Sequence, residues 1–190
     1  TRTRVLLSQH LTAHRLSLAT LTLETARQAL ESVIAVIEQQ LKTLEKTMLG
    51  IVQHLMPELL DELGIGVVHA ATLLAEIGDP RCFRSHHSFA MFAGCAPIER
   101  SSGGQKRRQL NTGGNRLNTG GNRRLNQTFH MITQVRLRYH EPSRTYLSKK
   151  QQEGKTTRAA LRCLKTFVAK HVFRFMLANA QQHPERWLSS

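Results

Sequence analysis

The stretch Leu30–Leu55, LESVIAVIEQQLKTLEKTMLGIVQHL, decides the fold class. Its apolar residues Leu30, Ile34, Ile37, Leu41, Leu44, Met48, Ile51 and Leu55 advance in alternating steps of four and three. Such a repeat keeps one seam of an α-helix apolar and fills the a and d positions of a coiled coil or a tight helical hairpin. A single amphipathic helix lying on a globular core is the plainer alternative. The helical pattern reaches back to about residue 8 without a proline. Residues 1–56 are therefore expected to form a long helix and coiled-coil linker, with self-association through 30–55.

Downstream, Pro57 permits a new helix start. PELLDEL, the turn Gly64-Ile65-Gly66 and VVHAATLLAEI predict a helix–hairpin–helix over 57–78. Gly64 and Gly66 allow a sharp turn and leave backbone N–H groups at the next helix start facing outward, where a phosphate fits. The same turn also joins helices that bind nothing. Ser85–Ala93 reads as a short helix ending at Gly94, and Cys95–Ile98 as an extended segment. Asn122 is a good N-cap for a helix to about Tyr139, broken by Pro142. A last helix runs from about Thr156 to Ala178, with Leu161, Leu164, Val168, Val172, Phe175 and Met176 on one face. The expected fold is mainly α. It comprises the coiled-coil helix, a small helical domain over 57–178 with a short extended segment and a Gly/Arg-rich loop, and a tail over 179–190.

Charge is segregated along the 190 residues. Residues 1–99 hold 8 Lys/Arg against 10 Asp/Glu, whereas residues 100–175 hold 18 against 2. That asymmetry points to a polyanionic partner for the C-terminal half, nucleic acid before membrane, because the basic helices lack a Trp/Phe-rich apolar face. No apolar run approaches the ~18–20 residues of a membrane span, and the polar N-terminus lacks the apolar core of a signal peptide. Cys82, Cys95 and Cys163 are widely spaced, which predicts buried thiols in a reducing cytoplasm. His86 and His87 are adjacent and point about 100° apart on a helix, a poor geometry for a shared metal.

Chemistry concentrates in Glu99–Asn126, ERSSGGQKRRQLNTGGNRLNTGGNRRLN. Ser101 and Ser102 precede Gly103-Gly104 and then Lys106, Arg107 and Arg108. A serine hydroxyl held in line can attack phosphorus, glycines let the backbone approach, and guanidinium groups clamp the non-bridging oxygens. A Ser-Ser-Gly-Gly run is also an ordinary turn, and Tyr139 and Tyr146 are the other candidate hydroxyls. A Mg²⁺-dependent nuclease needs several converging carboxylates, and the chain has only two aspartates, Asp61 and Asp79. No metal site is expected. The heptapeptide LNTGGNR occurs twice in succession, at Leu110–Arg116 and Leu117–Arg123.

The run GIGVVHAATLLAEIGDPRCFRSHHSFAMFAGCAPIERSSGG, with GGNRRLNQTFHM and EGKTTRAALRCLK, resembles the C-terminal transposase domain of the IS110 (Piv/MooV-type, DEDD) family of insertion sequences. The likeness covers roughly residues 64–177. It implies a serine nucleophile directly before glycine, here Ser102, for DNA recombination and transposition. It also implies that Arg123, Arg124 and neighbouring polar residues sit near nucleic acid; with the residue chemistry above, the candidate nucleic-acid-binding residues are Gly64, Gly66, Arg100, Lys106, Arg107, Arg108, Arg116, Arg123 and Arg124. The partners it implies are DNA, a guide RNA and further copies of the chain through the 30–55 coiled coil, in the bacterial cytoplasm at the nucleoid. In that family an acidic RuvC-like domain binds Mg²⁺. That domain is absent from this sequence, so no cofactor is expected in the chain itself, and catalysis by this chain alone is not expected. The alternative is a non-catalytic helix–hairpin–helix nucleic-acid-binding protein, either a regulator or a transposase relic. The second LNTGGNR is expected either to lengthen the loop or to add about two turns ahead of the following helix, displacing Ser102 from the cations beyond it.

Overall fold

The computed structural model describes the backbone of residues 1–102, 105–110 and 121–187. Its elements are α1 (Arg2–Thr20), α2 (Glu24–Leu55), a 3₁₀ turn (Pro57–Leu60), α3 (Val67–Ile77), a second 3₁₀ turn (Pro80–Cys82) and α4 (His86–Phe92). Strands β1 (Pro97–Ser102) and β2 (Gln105–Leu110) follow, then α5 (Arg123–Tyr139), α6 (Glu141–Gln152), α7 (Thr157–Gln182) and a closing 3₁₀ turn (Pro184–Trp187). The protein is mainly α, as its periodicity predicts.

The N-terminal helix is not continuous. It breaks at Leu21–Leu23, whose ends are extended at Leu21 (φ −79°, ψ 130°) and Leu23 (φ −80°, ψ 118°). α1 folds back along α2, and two ion pairs bridge them, Arg4–Glu45 at 2.7 Å and Arg15–Glu38 at 2.6 Å. The α2 seam is thus partly occupied within the chain. Ile37 and Met48 are buried, Leu30, Ile34, Leu41, Leu44 and Leu55 are half-buried, and Ile51 stays exposed. The break carries no Gly or Pro, so the punctuation that ordinarily marks a helix end is missing.

α2 ends at Leu55 because the residue before a proline is pushed out of the α region, and Met56 is non-helical (φ −160°, ψ 74°). The first arm of the predicted helix–hairpin–helix is a four-residue 3₁₀ turn. Gly64 then adopts φ +89°, and a Cβ there would lie 3.2 Å from the Ile132 carbonyl oxygen and 3.3 Å from Val135 Cβ. Both the backbone angle and the close approach to α5 require glycine at this position.

One core spans the proposed 56/57 boundary. Met48 and Val52 of α2 share it with Leu59, Leu73, Phe89, Phe129, Leu164 and Phe173. Phe89 is its hub, stacked on Phe173 at 4.6 Å and edge-on to Phe129 at 6.0 Å. Each such pair adds about 0.5–1.5 kcal/mol beyond burial of the rings. Residues 179–187 are no free tail. α7 runs on to Gln182 with Asn179 and Ala180 buried, and Arg186 donates to Glu58 at 3.1 Å. Pro142 does not itself break α5. The break is at His140, and Pro142 lies in the first turn of α6, where its missing N–H costs nothing.

Candidate functional site

The serine-bearing segment is a two-stranded antiparallel hairpin. Its register pairs Pro97 with Leu110, Glu99 with Arg108, Arg100 with Arg107, Ser101 with Lys106 and Ser102 with Gln105. Ser102 therefore ends β1, and three consecutive cations, Lys106, Arg107 and Arg108, lie on the facing strand within four register positions of it. The antiparallel ladder fixes that juxtaposition through backbone hydrogen bonds alone. Predicted extended structure at Cys95–Ile98 is realised two residues later, as β1.

The hairpin leaves and returns on one helical platform. α4 is closed at its start by a capping box between Ser85 and Ser88, as predicted for a helix beginning there. At its other end Gly94 turns with φ +65°, the conformation glycine favours after a helix. Cys95 and Ala96 both donate their N–H to the Ala90 carbonyl, at 2.8 and 2.9 Å. The Gly94 carbonyl accepts from Asn126 Nδ2 at 2.5 Å, and the Cys95 carbonyl accepts from Thr166 Oγ1 at 2.5 Å. On the return, the Asn122 N–H donates to the Phe92 carbonyl at 2.7 Å. Asn122 also caps α5 as predicted, its Oδ1 accepting from the N–H groups of Arg124 (3.0 Å) and Leu125 (3.1 Å). Both anchors are thus tied to the C-terminal end of α4.

Residues 57–148 match the family described as the IS116/IS110/IS902 transposase family. An insertion element IS110 43.6 kDa protein of Streptomyces coelicolor is 32% identical over 144 residues, 74% of this chain and 34% of that protein. An insertion element IS116 44.8 kDa protein of Streptomyces clavuligerus is 35% identical over 91 residues, 48% of this chain and 21% of that protein. The chain carries a transposase domain of the IS116/IS110/IS902 family. It spans about a third of the first of these relatives and about a fifth of the second.

Within the transposase domain the predicted residues divide into two groups. Arg100, Ser102, Lys106, Arg107 and Arg108 share the hairpin. Arg123 is exposed at the first turn of α5, close to the return anchor. Arg124 is committed to a contact, since its guanidinium donates to Glu76 at 2.8 Å. Gly64 and Gly66 lie elsewhere. α3 joins α5 through Glu76 near its C-terminal end, and Gly66 caps its other end about 15 Å away. Gly64 is held by packing against α5, as described above. Gly66 borders a groove of about 550 Å³ beside Glu45, Lys46 and Leu49, and a Cβ there would meet nothing within 4 Å. Arg116 and most of the repeated heptapeptide lie outside the described residues.

The polar residues that build the platform were not singled out by the sequence. Lys165 is 7% exposed and donates to Asn126 Oδ1 at 2.9 Å. Burial holds its ammonium below the ordinary value. Burial also pushes the Cys95 thiol up to about 12, so it stays protonated and unreactive at neutral pH. Cys82, contrary to expectation, is exposed. Glu76 is held below the usual carboxylate value by the Asn122 hydrogen bond first, burial opposing it, with Arg124 adding to the lowering. Among the described residues no three His, Cys, Asp or Glu side chains converge as a metal site. Nor, among the described residues, is any helix long and apolar enough to cross a membrane.

Proposed function

We propose that this chain is the serine-bearing, DNA-handling part of an insertion-sequence transposase. The observation that carries the reading is the hairpin register, with Ser102 at the end of one strand and Lys106, Arg107 and Arg108 on the other. In this reading Ser102 Oγ forms a bond to phosphorus while the bond from phosphorus to the leaving strand oxygen breaks. The three cations hold the non-bridging oxygens as charge builds on them. The network Gly94–Asn126–Lys165 and the Asn122 cap serve as positioning groups, fixing both anchors of the hairpin. Acidic metal chemistry, where the reaction needs it, belongs to the part of the whole protein that this chain does not span.

The chain is further proposed to self-associate through the helical hairpin of α1 and α2, and to act on DNA in the bacterial cytoplasm, with a guide RNA as an additional partner. The Gly64–Gly66 turn is proposed as a secondary phosphate contact in the manner of a helix–hairpin–helix. A second reading, DNA binding without catalysis, is favoured by the doubled LNTGGNR between Ser102 and α5.

A nicked duplex that traps a covalent intermediate separates the two. Incubated with this chain plus the rest of the full-length protein, it should give a protein–DNA adduct that Ser102→Ala abolishes and Ser101→Ala retains. Tight DNA binding without any adduct would establish the non-catalytic reading instead.

A further inference from the structure

Phe167, on α7, is the most exposed of the seven phenylalanines, 52% against 38% for Phe92, the next. It lies outside the core, yet it is not isolated. Its ring stacks on Tyr146 of α6, with centroids 5.3 Å apart and planes 25° from parallel. Tyr146 is half-buried and packs against the core, so the stack is anchored at its inner end. One face of Phe167 is taken by Tyr146, and its exposure therefore lies on the other face and the ring edge. Lys150 Nζ stands over the Tyr146 ring at 5.5 Å. Burial, with Cys163 second, pushes the Tyr146 phenol up, so the ring stays uncharged at neutral pH.

Cations share this face. With about 100° of turn per residue, Lys170 and Arg174 project about 60° and 20° from Phe167, both to the same side of it. They follow it along the helix axis by about 4.5 and 10.5 Å. Two carboxylates border the patch, Glu153 beside Lys150 and Glu62 beside His171, and each is paired, with Lys150 at 2.8 Å and with Arg136 at 2.5 Å. The stack is also tied to the hairpin. Thr166, the residue before Phe167, donates to the Cys95 carbonyl at the root of β1. From Cys95 to Ser102 an extended chain covers at most about 23 Å, the length of about seven stacked nucleotides.

An open aromatic face beside cations is the chemistry that single-stranded nucleic acid calls for, since an unpaired base offers a π face and its backbone offers phosphates. A duplex has its base faces already stacked inside it. We propose that the Phe167–Tyr146 stack receives one unpaired base of a DNA strand adjoining the bond that the hairpin engages, with Lys170 and Arg174 on the phosphates beside it. The assignment rests on the DNA-handling reading above and adds to it the form of the DNA, a strand whose bases are unpaired. Stacking accepts every base, so this contact holds the strand without reading its sequence.

Fluorescence anisotropy of the 190-residue chain with a labelled DNA single strand of about 20 nucleotides, and with the matching duplex, tests the assignment. Phe167→Ala should weaken binding of the single strand at least about fivefold and leave the duplex unchanged. Phe167→Leu keeps an apolar side chain on Tyr146 and removes only the aromatic face, and it should lose as much. Phe167→Trp should bind the strand at least as tightly as wild type. Tyr139→Ala removes an exposed aromatic outside the pair and should change neither affinity. Phe167→Ala and Phe167→Leu variants that behave like this control overturn the proposal. So does an equal loss on strand and duplex, or a loss confined to an RNA strand of the same sequence. A wild-type chain that binds neither form of DNA fails the DNA-handling reading as well, which separates that failure from failure of the stack alone. Phe167 lies outside the core and the three replacements differ in bulk, so a variant whose circular dichroism departs from wild type leaves the others to decide.

Discussion

Glu76 shows at the scale of one residue how the platform is held. Its carboxylate accepts from Asn122 Nδ2 at 2.6 Å and from the Arg124 guanidinium at 2.8 Å, so a single side chain of α3 grips both the cap and the first turn of α5. Replacing it with Gln in Glu76→Gln keeps the shape and removes the charge. The expected loss is about 1 kcal/mol at neutral pH, tempered because Arg124 is partly solvated. The pH dependence has a definite sign. Folding lowers the Glu76 pKa from its ordinary 4.5, so its contribution is complete above that value and disappears as pH falls through the lower folded value. Thermal melts should separate wild type from variant equally at pH 7 and 6 and converge at acid pH. A gap that persists undiminished in acid would refute the charge argument. This residue also marks the limit of what sequence discloses. Asn122 was legible as a cap because capping is chemistry within three residues. Glu76 was not, since its partners lie 46 and 48 residues away. Lys165 is the sharper case. A lysine is ordinarily a surface cation, and only the tertiary contact with Asn126 makes this one a buried strut.

At the scale of elements, periodicity read the helices well wherever a chemical signal bounded them. Ser85, Asn122 and Thr156 each cap the helix expected of them, and each accepts from a backbone N–H in the first turn. The break between α1 and α2 had no such signal, and Leu21, Thr22 and Leu23 interrupt the helix without a Gly or Pro. What bends the chain there is the gain from packing α1 back on the apolar seam of α2, a tertiary term that local propensity does not contain. The start of α5 bears on the doubled heptapeptide. Asn122 is extended (φ −66°, ψ 109°) and α5 begins at Arg123, the last residue of the second copy. The anchors at Gly94, Cys95 and Asn122 make their contacts outside residues 110–116. Deleting Leu110–Arg116 should therefore change stability by less than about 0.5 kcal/mol, with loop-closure entropy contributing about 0.3. Matched urea unfolding curves check this, and a loss above about 2 kcal/mol would mean that the first copy makes contacts the fold requires.

For the molecule as a whole, the distribution of pairing matters more than net charge. Carboxylates of the N-terminal half hold α1 on α2 through Arg4–Glu45, α3 on α5 through Arg124–Glu76, and the segment before α3 on α5 through Arg136–Glu62. The C-terminal half carries an excess of cations over carboxylates, 18 against 2 over residues 100–175. The helical hairpin of α1 and α2 has the opposite surplus, an apolar one. With the α2 seam partly taken by α1, the arm still exposes the seam residue Ile51 (51%) and, off the seam, side chains such as Leu16 (68%), Val33 (44%) and Val36 (61%). Isolated exposed leucines and valines are ordinary, but these recur on one two-helix arm where a second copy can cover them. The self-association proposed above would use this outer surface. Val33→Glu/Val36→Glu places charge on this surface without touching Ile37 or Met48, so helicity should be retained. Sedimentation equilibrium should find wild type as a dimer or larger and the double variant at least about tenfold weaker in association, the loss of roughly 1.4 kcal/mol that burying two valines readily exceeds. If the double variant associates as strongly as wild type, the arm does not bring copies together through this surface. If Ile37→Glu instead dissociates the copies with α1 and α2 still helical, the seam opens to exchange α1 between them.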